Sequence, residues 1–334
     1  AQTIKWNGDE LTLQQLRPLM LTDDRGKREK IWRKISERQL ADRHQINELW
    51  VKQVETRLQL ARNADMPDYR AYRWKQMTRI DYAPDDCIRF QQAIEDVAVP
   101  AATRVYEKHR QKLGLERLRP WDLDQEIYPI RLPPISPYGT VADLQQKAGD
   151  VFTKIDPRLG EYFKLMREEQ LLDLENHKGK APGAYCTNFP VTQRPFIFMN
   201  AVGVATDVRT ILHESGHAFH NFERFQLPYA QQRNPGLEFA EVASMGLELL
   251  ASRYLGENDG GFYSENEEAE FRIQHLERIL TFWPYMAVVD AFQHWVYTHE
   301  AAAANPANCD AKWYELWLRF IPGVDWSGLE PEAM

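Results

Sequence analysis

ILHESGHAFH, at residues 211–220, contains two histidines four residues apart, with a glutamate directly after the first. On a helix, four residues turn the chain by about 400°, so His213 and His217 project from one face, one turn apart. Two neutral imidazoles in this arrangement can bind one Zn²⁺, and Glu214 can reach a water on the metal. The stretch therefore predicts a helical zinc site with a general base, the residue set of a zinc hydrolase. Apolar residues surround it, as on a buried helix: Val208, Ile211, Leu212, Ala218 and Phe219.

A catalytic zinc site also needs a third protein ligand and an open position. The next predicted helix, residues 237–248, offers Glu241, which lies among alanine and valine neighbours where an unpaired carboxylate would be costly. Glu238 and Glu248 lie on roughly the same face as Glu241, and either could orient a ligand histidine. His220 shares the face of the motif histidines, but we expect a packed histidine there, because a fourth ligand would close the site.

The length and composition are those of an ordinary globular protein. A chain of 334 residues can bury a substantial core, as one large domain or as two lobes. Three scattered cysteines, an odd number, predict a reducing, cytoplasmic setting rather than a disulfide framework. We find no signal peptide at the amino terminus and no apolar stretch long enough to span a bilayer, so no membrane partner is expected.

Charge is unevenly distributed along the chain. Residues 1–120 contain 24 Lys and Arg against 18 Asp and Glu, a balance of about +6, whereas the remainder contains 17 against 31, about −14. In the first part both signs alternate along helical patterns, as on solvated helix faces, and we find no basic recognition motif. The composition therefore predicts no nucleic-acid partner, and the acidic second part fits a site that attracts a cation.

Helical periodicity dominates the first third of the chain. Apolar residues recur at helical spacing between Glu37 and Ala64. A second long helix is predicted to begin at Pro84 and to end before Gly114, and Pro100 should kink it or divide it in two. After a proline-rich connection at residues 119–139, including Pro133 and Pro134, helical periodicity resumes from Val141 to about Leu174, with a break at residues 156–160.

A small sheet is predicted directly before the His-Glu helix. Residues 177–183 are typical of a loop, and two short strands are expected at 184–187 and 196–199. In zinc peptidases an edge strand in this place is well suited to hold an extended peptide by backbone hydrogen bonds. After residue 237 helices are expected as far as about Phe320, which makes the predicted fold class mainly α.

These residues resemble a known family. HESGHAFH at 213–220, followed by EFAEVAS at 238–244, is similar to the thimet oligopeptidase and oligoendopeptidase F family of zinc peptidases. KGKAPGAYC at 178–186 and PFIFMN at 195–200 resemble its oligoendopeptidase F branch. The resemblance runs from about residue 65 to the end of the chain.

The resemblance implies a helical zincin-type fold with a channel between two lobes, and the cleavage of short peptides rather than folded proteins. Position by position, it implies that His213, His217 and Glu241 bind one zinc ion and that Glu214 is the general base. It also implies that the strand around Ala184 and Tyr185 lines the substrate cleft. We accordingly expect residues 1–120 to form a helical part of one lobe and residues 121–334 to form the catalytic region.

One part of the family pattern has no clear counterpart in this sequence. The family stabilises its transition state with a histidine and tyrosines on a late helical segment, for which Tyr285 and His294 are the nearest candidates. Their spacing does not fit the family pattern well. Relatives of this branch usually continue beyond the equivalent of Val324–Leu329, so we expect that segment to be missing from this chain, which would then bind zinc but hydrolyse peptides poorly.

Two other functions stay open. A zinc carboxypeptidase of similar helical build would need a basic residue for the substrate's free carboxylate, and Arg272, Arg278 or Arg319 could serve. The other alternative is a weakly active fragment or peptide-binding module that keeps the motif.

Overall fold

The chain divides into two compact units. The computed structural model describes residues 2–124, 127–130 and 135–329. Unit 1 comprises Ala1–Asp23 and Leu132–Ile273, and unit 2 comprises Asp24–Arg131 and Gln274–Met334. The sequence analysis expects residues 1–120 to belong to one lobe and residues 121–334 to form the catalytic region. That division by role stays a prediction.

The structure confirms a mainly α fold with small sheets. The described helices are α1 (Leu13–Met20), α2 (Arg25–Leu40), α3 (Arg43–Asn63), α4 (Tyr69–Gln76), α5 (Pro84–Ala93), α6 (Val99–Lys112), α7 (Val141–Ile155), α8 (Pro157–Glu168), α9 (Ala205–Phe225), α10 (Leu237–Ala251), α11 (Glu265–Thr298), α12 (Glu300–Ala303) and α13 (Pro306–Phe320). The described strands are β1 (Thr3–Trp6), β2 (Asp9–Thr12), β3 (Leu123–Asp124), β4 (Tyr128–Pro129), β5 (Leu172–Glu175), β6 (Tyr185–Phe189) and β7 (Arg194–Ala201).

The predicted division near Pro100 is confirmed. A π-helical turn at Ile94–Ala98 separates α5 from α6, and Pro100 is in the first turn of α6. Proline has no amide hydrogen to donate to the carbonyl four residues earlier, so regular α-helical bonding cannot run through this point. Gly114 follows the end of α6 with a positive φ of 63°, as the predicted helix end requires.

The middle of the chain differs from the prediction in one element. The expected break is present, because Asp156 ends α7 and its side chain accepts the amide hydrogen of Arg158 at the start of α8. The helical region ends at Glu168, however, and Leu172–Glu175 is a strand rather than the end of a helix. This strand pairs in parallel with β7, a partner more than twenty residues later that local periodicity cannot report. Pro133 and Pro134 lie outside the described residues.

The sheet that precedes the His-Glu helix is confirmed and is larger than expected. Its strand order is β5-β7-β6, so β6 has one neighbour and lies at an edge, where it pairs antiparallel with β7. Helix α9 packs against β6 and β7 on one side and against α7, α8 and α10 elsewhere. Its apolar residues are buried in the core of unit 1: Val208, Ile211, Leu212, Ala218 and Phe219.

Unit 2 is a helical assembly with aromatic and ionic packing of its own. Trp32 packs against Trp121 and Trp326, with ring centroids 5.7 and 6.0 Å apart. The carboxylate of Asp122 is fully buried and pairs with Arg25 and Arg28. Among the described residues of the whole chain, no helix has the length and apolar character that crossing a bilayer requires.

Candidate metal centre

Helix α9 places the two motif histidines on one face. Its first turn is held by the buried carboxylate of Asp207, which accepts the backbone amide hydrogens of Val202, Gly203 and Val204. Two turns later the imidazole rings of His213 and His217 lie 4.9 Å apart, centroid to centroid. The spacing of the motif thus produces the predicted geometry.

Helix α10 brings Glu241 to these imidazoles. Its Oε2 atom lies 3.3 Å from Nε2 of His213 and 3.6 Å from Nε2 of His217. One potential ligand atom from each of the three residues lies within 4.8 Å of the other two. Two ligands that are each about 2.1 Å from a tetrahedral zinc are about 3.4 Å apart. The three side chains therefore fit a zinc ion.

The outer face of the His213 imidazole is hydrogen-bonded. Nδ1 of His213 donates to Oε1 of Glu248 at 2.7 Å, because a carboxylate can only accept. The structure thus selects Glu248 rather than Glu238 as the carboxylate that orients His213. The bond at Nδ1 fixes the orientation of the ring and directs Nε2 of His213 at Glu241 and the metal position.

The electrostatics of the cluster favour a positive charge between the three ligands. Burial lowers the pKa of His213, but hydrogen bonds to Glu241 and Glu248 outweigh burial and raise the pKa to about 10. The bond from His213 lowers the pKa of Glu241 to about 2, and Ser244 Oγ donates to the same carboxylate at 2.8 Å. The donor set of two imidazoles and one carboxylate is also the set that zinc accepts in catalytic sites.

Glu214 lies beside this group without belonging to it. The residue is 7 % exposed, and burial raises the pKa of its carboxyl group to about 7. A carboxyl group with a pKa near neutrality can both accept and return a proton, which is what a general base with a later acid role must do.

The remaining histidine of the motif helix lies outside the group of three. The ring of His220 is 6.3 Å from that of Phe239, centroid to centroid, and burial lowers its pKa. This placement agrees with the expectation of a packed histidine.

The strand residues predicted to contact substrate are at the exposed edge of the sheet. Ala184 directly precedes β6, and Tyr185 is its first residue. The Tyr185 ring is 49 % exposed and stacks on Phe198 of β7 at 4.9 Å. An edge strand with exposed side chains can accept an extended peptide as an additional strand.

Tyr285 and His294, the candidates for a transition-state donor, lie on α11 within unit 2. His294 belongs to a second group of potential ligands, with Cys87 and Asp290. A guanidinium nitrogen of Arg70, which can only donate, lies 3.1 Å from Nδ1 of His294. That bond places the ring proton of His294 on Nε2, toward Asp290. The positive charge of Arg70 also disfavours a cation at this position. The geometry therefore does not support a metal centre at Cys87, Asp290 and His294.

Ser244 is a part of the site that carries no sequence signal. Its hydroxyl donates to the Glu241 carboxylate, and a serine three residues after a glutamate is common in any helix.

Comparison with known proteins finds a family model that matches most of the chain. The family model of peptidase family M3 matches residues 19–331. Oligopeptidase PepF of Bacillus subtilis (strain 168) is 30% identical over 142 residues, which are 41% of this chain and 21% of that protein. The oligoendopeptidase F homolog of Mycoplasma pneumoniae is 27% identical over 148 residues, 42% of this chain and 22% of that protein.

Solved structures match almost the whole of this chain. PZ peptidase A, solved with an inhibitor, superposes with a TM-score of 0.89 at 28% identity, over 97% of this chain and 56% of that one. A Bacillus anthracis protein described as an oligoendopeptidase F gives 0.86 at 26% identity, over 96% and 57%. The chain thus spans just over half the length of these structures, and the matched region spans about a fifth of the curated relatives.

Proposed function

The chain belongs to peptidase family M3, and on that premise we propose that it is a zinc-dependent oligopeptidase, an endopeptidase of short peptides. His213, His217 and Glu241 would hold one zinc ion, and Glu214 would be the general base. The observation that carries this proposal is the convergence of the three ligand atoms beside a buried glutamate.

The residues divide the chemistry of hydrolysis among them. When bound, a zinc ion supplies Lewis-acid chemistry, polarising the scissile carbonyl and making water more acidic. Glu214 takes a proton from the attacking water at its carboxylate as the oxygen adds to the carbonyl carbon. When the C–N bond breaks, Glu214 returns that proton to the leaving amine. Glu248 keeps Nε2 of His213 directed at the metal position throughout.

The substrate is proposed to be an extended short peptide. The outer edge of β6, from Tyr185 onward, would bind its backbone, and the exposed Tyr185 ring would contact a side chain. Tyr285 and His294 stay as candidates for the donor that stabilises the oxyanion. A cytoplasmic location is part of the proposal, since Cys87, Cys186 and Cys309 form no disulfide.

An endopeptidase is favoured over a carboxypeptidase by the arginines of the chain. The three candidates for binding a free carboxylate each lie in an ion pair: Arg272 with Glu268, Arg278 with Asp124 and Arg319 with Glu95. A guanidinium already paired with a carboxylate is a poor anchor for a second one. Cleavage of a peptide with both ends blocked would agree with this assignment.

The proposal is tested by two substitutions at the centre. In Glu241→Gln we expect zinc bound per chain to fall well below one, because a charged ligand is lost. In Glu214→Gln we expect zinc content to stay at one while cleavage of a blocked peptide falls by about 10²- to 10⁴-fold. Zinc is measured by metal analysis after dialysis, and cleavage with a fluorogenic peptide.

Glu238→Gln, an exposed change on the same helix, is the matched control and should alter neither quantity. Undiminished cleavage by Glu214→Gln would falsify the assignment of the base. Stoichiometric zinc without cleavage in the unmodified chain would instead favour the weakly active peptide-binding alternative.

A further inference from the structure

An arginine of unit 2 is held against α11 by aromatic rings. Arg57, on α3, donates a hydrogen bond to the hydroxyl of Tyr297. Its guanidinium carbon lies 5.7 Å from the centroid of the Tyr297 ring and 5.6 Å from that of Tyr69, on α4. The two tyrosine rings are themselves 4.9 Å apart. Arg57 is therefore positioned by a hydroxyl and by the faces of two rings rather than by a carboxylate.

A second guanidinium reaches the same turn of α11 from α4. Arg70 directly follows Tyr69, and its Nη1 atom lies 3.1 Å from Nδ1 of His294. An arginine can only donate, so the imidazole accepts this hydrogen bond. His294 and Tyr297 are three residues apart on α11, which makes their side chains neighbours on the helix surface. The guanidinium groups of Arg57 and Arg70 thus approach α11 within a single turn.

A third arginine shares this face of α4. Arg73 is three residues after Arg70 and four after Tyr69, spacings that place side chains on one side of a helix. Its side chain is exposed, and Nη1 donates to Oε1 of Gln76 at 2.6 Å. Within the part of the chain that the structure describes, none of the three arginines pairs with a carboxylate.

The segment that contains these arginines is strongly basic. Residues 57–79 contain six Lys and Arg against two Asp, a balance of about +4. The carboxylate of Asp68 caps α4 by accepting a backbone amide hydrogen at 2.7 Å. Elsewhere in unit 2 arginines pair with acids, as Arg25 and Arg28 do with Asp122. The arginines at α11 lack that compensation, so their mutual repulsion is relieved when an anion binds among them.

The carboxylate of Asp290 lies near His294 but on the other side of its ring. Oδ2 of Asp290 is 3.6 Å from Nε2 of His294, whereas Arg70 bonds Nδ1. The same Oδ2 atom accepts a hydrogen bond from Gln91 at 2.6 Å. Asp290 is therefore engaged away from the guanidinium groups and does not occupy the place of an anion among them.

We propose that Arg57, Arg70 and Arg73 form an anion site on unit 2 that binds a carboxylate of a peptide. Each guanidinium has five N–H donors, and the Tyr297 hydroxyl, which accepts from Arg57, keeps its own hydrogen to donate. Planar guanidinium groups match the two oxygens of a carboxylate. The choice of a peptide as the ligand rests on the proposed function, whereas the cationic group rests on the contacts above. A carboxyl terminus and an acidic side chain offer the same carboxylate, and the test separates them.

Calorimetric titration of the full chain with three peptides tests the site. The titrations use the Glu214→Gln chain, so that the peptides are not cleaved. The peptides are acetyl-trialanine with a free carboxyl terminus, its amide, and the amide with glutamate as the middle residue. We expect a carboxylate peptide to bind at least about 10-fold more tightly than the neutral amide. Tight binding of the first peptide identifies a carboxyl terminus as the ligand, and tight binding of the third identifies an acidic side chain. Raising the salt concentration from about 0.1 M to about 1 M should remove the difference.

Two substitutions connect this affinity to the arginines. In Arg57→Met we expect the affinity for the carboxylate peptide to fall by about 10- to 100-fold, because a charged donor is lost. In Arg73→Met, at an exposed position, we expect a fall of about 2- to 5-fold. The affinity for the neutral amide should stay the same in both. Arg62→Met is the matched control, since Arg62 is exposed on α3 and bonds to Gln59, and it should change no affinity.

A further variant separates the charge from the packing of the aromatic rings. Arg57→Lys keeps the positive charge and should recover part of the affinity that Arg57→Met loses. The proposal is overturned if neither carboxylate peptide binds more tightly than the neutral amide. It is also overturned if Arg57→Met weakens the binding of all three peptides equally, as a purely structural role would. If the unmodified chain cleaves no peptide, the proposed function fails, while the titrations still decide the anion site.

Discussion

Among single residues, Glu248 determines how His213 faces the metal centre. A carboxylate on the Nδ1 side keeps the proton there and leaves Nε2 to bind metal. In Glu248→Gln we expect zinc affinity to fall by about 10- to 100-fold while the fold is kept, because a neutral amide holds the ring less firmly. Competition with a chromophoric chelator measures the affinity. Glu238→Gln is the control, and equal affinities in both variants would contradict the role of Glu248.

The sequence predicts this site at the residue level only in part. The spacing of His213, Glu214 and His217 predicts their common helix face, because helix geometry alone decides it. The apolar neighbours of Glu241 and the need for a third ligand make it a candidate, and the resemblance to the family implies that it binds zinc. The choice between Glu238 and Glu248 depends on how α10 is rotated against α9, and local sequence contains no information on that rotation.

Among the elements, the close approach of α9 and α10 sets the distance between the histidines and Glu241. A Cβ atom added at Gly216 would meet Ser244 Cα at 2.6 Å and the Ala243 carbonyl oxygen at 2.7 Å, both backbone atoms that cannot move alone. We expect Gly216→Ala to lower the free energy of unfolding by about 1–3 kcal/mol and to weaken zinc binding, since the helices must separate. Chemical denaturation and metal titration measure the two effects.

Gly246 on α10 is the comparison for this change. Nothing lies within 4 Å of a Cβ added there, so alanine should raise the free energy of unfolding by about 0.5–1 kcal/mol through helix propensity. If the two glycine variants had similar stability, the close contact of α9 with α10 would not constrain the site.

In the molecule as a whole, acid stability is expected to depend on His109 in unit 2. Burial, and secondarily the charge of Lys112, lowers its pKa from 6.5 to about 4. Between pH 6.5 and 4 the His109 imidazole therefore binds a proton in the unfolded chain but not in the folded chain. The free energy of unfolding is highest above pH 6.5 and decreases as the pH falls toward 4. This pKa shift corresponds to a change of at most about 3 kcal/mol in the free energy of unfolding.

Urea denaturation at pH 7 and pH 4.5 tests this expectation. Tryptophan fluorescence reports mainly on unit 2, which contains nine of the ten tryptophans. The His109→Gln variant should lose less stability on acidification than the unmodified chain. The His44→Gln variant, an exposed change on α3, should lose as much stability as the unmodified chain. Identical pH dependence in the two variants would rule out His109 as the cause.

The sequence by itself determined what depends on residues close together in the chain: the helix class, the interruption near Pro100, the two strands before the His-Glu helix, and the pair of histidines with its glutamate. Only the tertiary structure decided what depends on the packing of distant segments. These features are the strand β5 and the rotation of α10 that selects Glu248. The physical reason is that hydrogen bonds within a helix follow local spacing, whereas strand partners and side-chain neighbours are contributed by distant parts of the sequence.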